Sequence, residues 1–188
     1  MSYWKGIKKM TLEEMKKKTL NLIEEIDTEN DNLTADIDIA NKINDVINQI
    51  MFELCRYKKI PAYEKLEVKQ DEEMELSELD NFYQLKSIQG VEFDLLGNTV
   101  IFLEPGTATI QYYKFPKRIT EKNQSNYKFE LSDDVLEIMP YGIAADLLKS
   151  DVSNQYGQVY ANRYAELKQM LDPRYDVGSI VMEGGLDI

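Results

Sequence analysis

The chain has 188 residues, 43% of them hydrophobic and 30% charged, with 22 Lys+Arg against 34 Asp+Glu for a net charge of −12. It contains no histidine, which excludes Ser/His/Asp and Cys/His catalysis and histidine zinc sites, and its one cysteine, Cys55, excludes an internal disulfide and a thiolate metal cluster. The acidic balance argues against broad gripping of nucleic acid, which needs clustered Lys and Arg, and no apolar run approaches the ~20 residues of a membrane span. No basic-then-apolar leader opens the chain, so a soluble protein of a reducing compartment is expected.

Residues 1–10 (MSYWKGIKKM) form a short basic lead-in that holds the only tryptophan, Trp4. Thr11-Leu12-Glu13-Glu14 has the pattern of a capping box. Leu12, Met15, Thr19, Leu22, Ile23 and Ile26 recur at helical spacing and predict a first helix to about Asp27. A polar loop leads to a second helix from Thr34 or Asp36 to about Tyr57, with Ile37, Ala40, Ile43, Val46, Ile47, Ile50, Met51 and Leu54 as its apolar stripe. Pro61 closes it.

From Ala62 to about Met139 the period shortens. Leu66 and Val68 alternate with charged neighbours, and Asp71 to Asp80 reads as an acidic, irregular link. Gly97-Asn98 is a two-residue hairpin signal that pairs Leu95 with Val100 and Phe93 with Phe102 on one face. Glu104-Pro105-Gly106-Thr107 suits a type II turn. It predicts a second pairing, of Thr99–Leu103 with Thr107–Tyr113, which puts Ile101, Leu103, Ala108 and Ile110 on the opposite face. The middle strand is then apolar on both sides and needs cover from the chain's own helices, a second sheet or another subunit. Tyr127, Phe129 and Leu131 alternate as a final strand.

Ser132-Asp133-Asp134 caps a short helical turn that Pro140 is expected to interrupt, Pro140 itself opening a new helix to about Lys149. A last helix, about Ser153 to Leu171, carries Tyr156, Tyr160 and Tyr164 at fourfold spacing beside Val152, Val159, Leu167 and Leu171, and Asp172-Pro173 stops it. The fold class is therefore α+β within a single domain, 1–188. It comprises a helical pair (11–60), an inserted antiparallel β-rich module (61–139), a second helical pair (140–173) and an extended tail (174–188).

Few features suit chemistry. Seven acids between Glu24 and Asp38 and six between Asp71 and Asp80 lie on a helix end, a loop and a linker. They read as solvated surface, because a Mg²⁺ or Ca²⁺ site needs carboxylates converging from several elements. The glycines form no phosphate cradle, Ser132 and Ser150 have no base beside them, and Cys55 falls in the apolar stripe of the second helix. Twelve tyrosines are more telling. The Tyr156, Tyr160, Tyr164 stripe with Arg163 either roofs the chain's own core or meets a partner. Ile101, Phe102, Tyr156, Tyr160, Arg163 and Tyr164 are the candidate subunit interface. In the tail, Val177, Ile180, Val181, Met182, Leu186 and Ile188 are too apolar for free solvation, and with Arg174 and Tyr175 they are the candidate contact residues. They either extend the chain's own sheet or dock on a partner, the latter being the expectation.

Met139-Pro140-Tyr141-Gly142-Ile143-Ala144-Ala145-Asp146-Leu147-Leu148-Lys149-Ser150-Asp151, followed by Tyr156-Gly157, Tyr160, Arg163-Tyr164 and Asp172-Pro173-Arg174, resembles the C-terminal half of tailed-bacteriophage head–tail adaptor (connector, head-completion) proteins. The wording is shared mainly over residues 127–174, and the layout over most of the chain. The resemblance implies a virion neck protein made in the host cytoplasm, without catalysis or cofactor. It would form a ring, commonly dodecameric, beneath the portal protein and present a platform to the next tail or neck protein. DNA would pass through the bore unbound, and residues 174–188 would engage the portal. Competing readings are another neck or tail-completion protein, a metal-dependent hydrolase using the acids, and a host-encoded interaction module.

Overall fold

In a computed structural model of the chain, residues 9–26, 33–149 and 155–171 are described. They form four α-helices and two small antiparallel sheets, a mixed α+β protein. The chain divides into two compact units: the described parts of 9–58 and 116–171 carry the helices, and 59–115 carries the sheets.

Helix α1 (Leu12–Leu22) opens with the expected capping box, in which the Thr11 N–H donates to Glu14 Oε2 at 2.8 Å and the Glu14 N–H to Thr11 Oγ1 at 3.1 Å. Helix α2 (Ile37–Leu54) is capped by Asp36, whose Oδ1 accepts from the N–H groups of Asp38 and Ile39. Ile43, Ile47, Ile50, Met51 and Leu54 are buried as the stripe requires, whereas Ile37, in the first turn, is exposed.

Helix α3 (Asp133–Leu148) corrects the sequence reading: Pro140 lies inside one continuous helix instead of separating two. A proline there costs about 3 kcal/mol in a lost hydrogen bond and a ring clash. Val135, Leu136, Ile138, Met139 and Ile143 are all buried along α3, each worth roughly 1.5–3 kcal/mol. That burial outweighs the proline. Helices α1, α2 and α4 (Tyr156–Met170) each pack on α3, so its apolar residues occupy most of its circumference.

Residues 116–131 belong with the helices, so the β-rich stretch ends at Phe115 and not near Met139. The expected strand at Tyr127, Phe129 and Leu131 forms only one isolated bridge, Thr11 to Lys128. Its three alternating side chains are nonetheless buried, with Tyr127 and Phe129 meeting edge to face at 5.3 Å. Alternation here reports extended chain inserting side chains among helices, without a neighbouring strand.

The second unit has strands β1 (Ile60–Val68), β2 (Glu72–Glu75), β3 (Phe82–Gln89), β4 (Phe93–Leu96), β5 (Thr99–Phe102) and β6 (Gly106–Lys114). They form two antiparallel three-stranded sheets, ordered β1-β6-β3 and β2-β5-β4. Val68, Leu76, Ile88, Val100, Phe102, Ala108 and Ile110 form one shared core from both sheets. The β4–β5 hairpin has the expected register, Leu95 opposite Val100 and Phe93 opposite Phe102. The expected β5–β6 pairing is absent. Each of these strands has both edges occupied, β5 by β2 and β4, β6 by β1 and β3, so Glu104-Pro105-Gly106 carries the chain from one sheet to the other. The acidic link contains β2. Gly90, at φ 96°, lies so close to β6 that a Cβ on it would stand 2.4 Å from the Thr107 carbonyl oxygen.

Candidate interaction surfaces

The described part of the resemblance motif lies along α3 and α4, which pack on one another. A Cβ on Gly142 would sit 2.9 Å from the Tyr164 ring, and one on Gly157 3.3 Å from Leu148 Cβ, so the two glycines let the helices approach closely. The three tyrosines of α4 do not share one environment. Fourfold spacing advances about 40° per step around a helix. Tyr156 is accordingly 68% exposed, Tyr160 half-buried, and Tyr164 buried. The Tyr160 hydroxyl donates to the Leu22 carbonyl at the end of α1. Burial pushes the Tyr164 hydroxyl pKa far up, and the Glu53 carboxylate adds to it. Lys168 Nζ pairs with Glu53 at 2.6 Å and lies over the Tyr57 and Tyr164 rings at 5.1 and 5.2 Å. The hydrogen bond to Glu53 raises the Lys168 pKa despite burial. These contacts tie α4 to α2.

The outward side of α4 is different. Tyr156, Val159, Arg163 and Met170 lie within about 60° of one another around the helix. All four are exposed, Met170 to 78%, and Arg163 pairs within the helix, with Glu166 at 3.1 Å. Val159 thus shares the exposed side of the helix with Tyr156 and not the buried side with Tyr164.

A second surface lies on the β2-β5-β4 sheet. Val100 and Phe102 point into the core, Phe102 being 1% exposed, so Phe102 contributes to packing within its own unit. Alternation places Thr99 and Ile101 on the outer face. Ile101 is half-buried there between Glu73 and Asp94 in register, and Thr99 lies between Glu75 and Leu96. Leu96 is 73% exposed and Leu103 is exposed as well, which gives an apolar strip edged by acids. Nothing in the sequence marks Leu96, Val159 and Met170 as surface candidates, because exposure of an apolar residue depends on which face its neighbours cover. The candidate tail residues, 174–188, and Trp4 lie outside the described residues.

Elsewhere the chemistry is quiet. Cys55 is buried and burial raises its thiol pKa to about 11, with Arg56 acting weakly the other way, so little reactive thiolate forms. A cleft of about 440 Å³ between α1 and the start of α3 is lined by Glu14, Lys17, Lys18, Asp133 and Glu137 among others. Two of its charges pair, Lys18 meeting Glu137 at 2.9 Å. Among the described residues no group of three or more Cys, Asp or Glu is placed to hold a metal ion, and no helix is long and apolar enough to cross a membrane. Comparison with models of known protein families and with curated proteins gave no match.

Proposed function

We propose that this chain is a head–tail adaptor of a tailed bacteriophage, a structural piece of the virion neck that assembles as a ring beneath the portal. The observation that carries the reading is the outward stripe of α4, where Tyr156, Val159 and Met170 are exposed on a helix whose other side is locked to its own core. Tyr, Met and Arg on one surface are the residues enriched at protein–protein contacts. The stripe falls within the stretch that resembles the adaptor family, so resemblance and surface chemistry coincide. A ring requires two different patches that complement each other, one meeting the other head to tail. The α4 stripe is one such patch. A net charge of −12 suits a conduit that DNA traverses without adhering.

The test is the mass of the full-length protein in solution, alone and with a portal ring. A ring-sized species, formed alone or on the portal, supports the proposal. A chain that stays monomeric and ignores portal rings contradicts it. So does a divalent-cation-dependent hydrolase activity that is lost on replacing the acids.

A further inference from the structure

The outer face of the β2-β5-β4 sheet has a specific charge environment. Ile101 is bracketed by Glu73 and Asp94, with Leu96 and Leu103 exposed beside it. Between residues 70 and 113 the only basic residue is Lys86, which lies in β3 of the other sheet. The opposite composition stands at the start of the chain. Residues 1–10 carry Lys5, Lys8 and Lys9, with Trp4 and Ile7 among them, and no acid precedes Glu13.

We propose that this sheet face receives the N-terminal segment, residues 1–9, of a second copy of the chain. Trp4 and Ile7 would cover the strip formed by Ile101, Leu96 and Leu103, while the lysines reach Glu73, Glu75 and Asp94. The dimensions agree: each of β2, β4 and β5 is four residues long, so the face is about 13 Å along the strands. Four or five extended residues cross that length. Burying an aromatic and a β-branched side chain supplies non-directional attraction, and the acid rim sets orientation and excludes an acidic competitor. The choice of a neighbouring copy over the chain's own sheet rests on the ring reading above. An arm laid on the next subunit is a head-to-tail contact, which repeats until it closes.

Trp4 is the only tryptophan, so emission excited beyond the tyrosine band reports the arm alone. The experiment follows that emission together with light-scattering mass in the full-length protein, from dilute solution to roughly 1 mM. The expected result is a blue shift that grows with concentration and tracks the rise in mass. Glu73→Lys with Asp94→Lys should weaken it about tenfold, and raised salt should weaken it too. Lys5→Glu with Lys8→Glu should do the same, and mixing the two double variants should restore the shift. Circular dichroism checks that the sheet variants remain folded, and the arm variants supply a second route that leaves the sheet untouched. Association with Trp4 still in water would overturn the docking while leaving the ring reading intact. A blue shift carried by a species of monomer mass would mean docking within one chain and would also overturn it. No association and no shift would overturn the docking, and the portal experiment would then decide the ring reading separately.

Discussion

Asn48 offers the sharpest test of how the helical unit is held together. It lies in α2 at 5% exposure, donates from Nδ2 to the Ile119 carbonyl at 3.0 Å, and accepts the Ile119 N–H on Oδ1 at 2.8 Å. The amide thus completes both backbone groups of one buried residue, as a neighbouring strand would. Asn48→Leu keeps the side chain's branching, with somewhat larger ends, but abandons the Ile119 N–H and C=O, each worth about 1–3 kcal/mol when buried unpaired. About 1 kcal/mol returns through the added apolar burial, for a net loss of about 1–5 kcal/mol. Asn48→Asp keeps the acceptor but turns an oxygen toward the Ile119 carbonyl. Burial and that opposed oxygen raise the new carboxyl's folded pKa above its unfolded value near 3.9. A raised folded pKa stabilises the protonated form, so this variant should approach wild type as pH falls and lose ground as pH rises through the folded value. Every tenfold weakening of the acid on folding corresponds to about 1.4 kcal/mol. Urea denaturation followed by far-ultraviolet circular dichroism, always as a difference from wild type at the same pH, measures both. With a slope of about 2 kcal/mol/M, Asn48→Leu should lower the midpoint by about 0.5–2.5 M. A loss under about 0.5 kcal/mol would refute the two-point clamp. An Asn48→Asp penalty that grows as pH falls would refute the electrostatic argument.

Gly142→Ala should destabilise by about 1–2 kcal/mol, because overpacking against Tyr164 exceeds the helical advantage of alanine. Denaturation midpoints should show most of that cost vanish in a Tyr164→Leu background. Burial by itself would push Asp134 up, but the hydrogen bond and charge of Lys58 hold its carboxyl below the ordinary value. The resulting stability is present above the unfolded pKa and is lost as pH falls through the lowered folded one. Since Asp134 is partly exposed, Lys58→Met should reduce the acid sensitivity in a pH-dependent melting series by under about 1 kcal/mol. Val159→Lys with Met170→Lys should leave the stability within about 0.5 kcal/mol of wild type yet abolish the ring-sized species in light scattering. Unchanged assembly would remove the α4 stripe from the interface.

Local rules read well wherever one segment contains its own partner. The Thr11–Glu14 box, the buried stripe of α2 and the Gly97-Asn98 hairpin with its register depend on residues only a few positions apart. Reading failed where a distant segment decided the outcome. β3 gave little signal because its pairing with β6 shifts register at Phe82/Gln84 and Leu85/Ser87, which breaks the period of two. β2, Glu-Glu-Met-Glu, has one apolar side chain and is a strand because β5 offers it an edge. Val159 carried an apolar letter in an apolar helix, and nothing near it in sequence revealed that α3 covers the other side.

Composition alone removed imidazole and disulfide chemistry, and periodicity alone placed α1, α2 and the β4–β5 hairpin, since propensity, capping and tight turns act over a few residues. Only the tertiary structure decided that β5 and β6 part into different sheets, that Pro140 stays within α3, and which apolar side chains remain at the surface. A strand has two edges and a helix a limited circumference. Which of them are filled depends on segments tens of residues away.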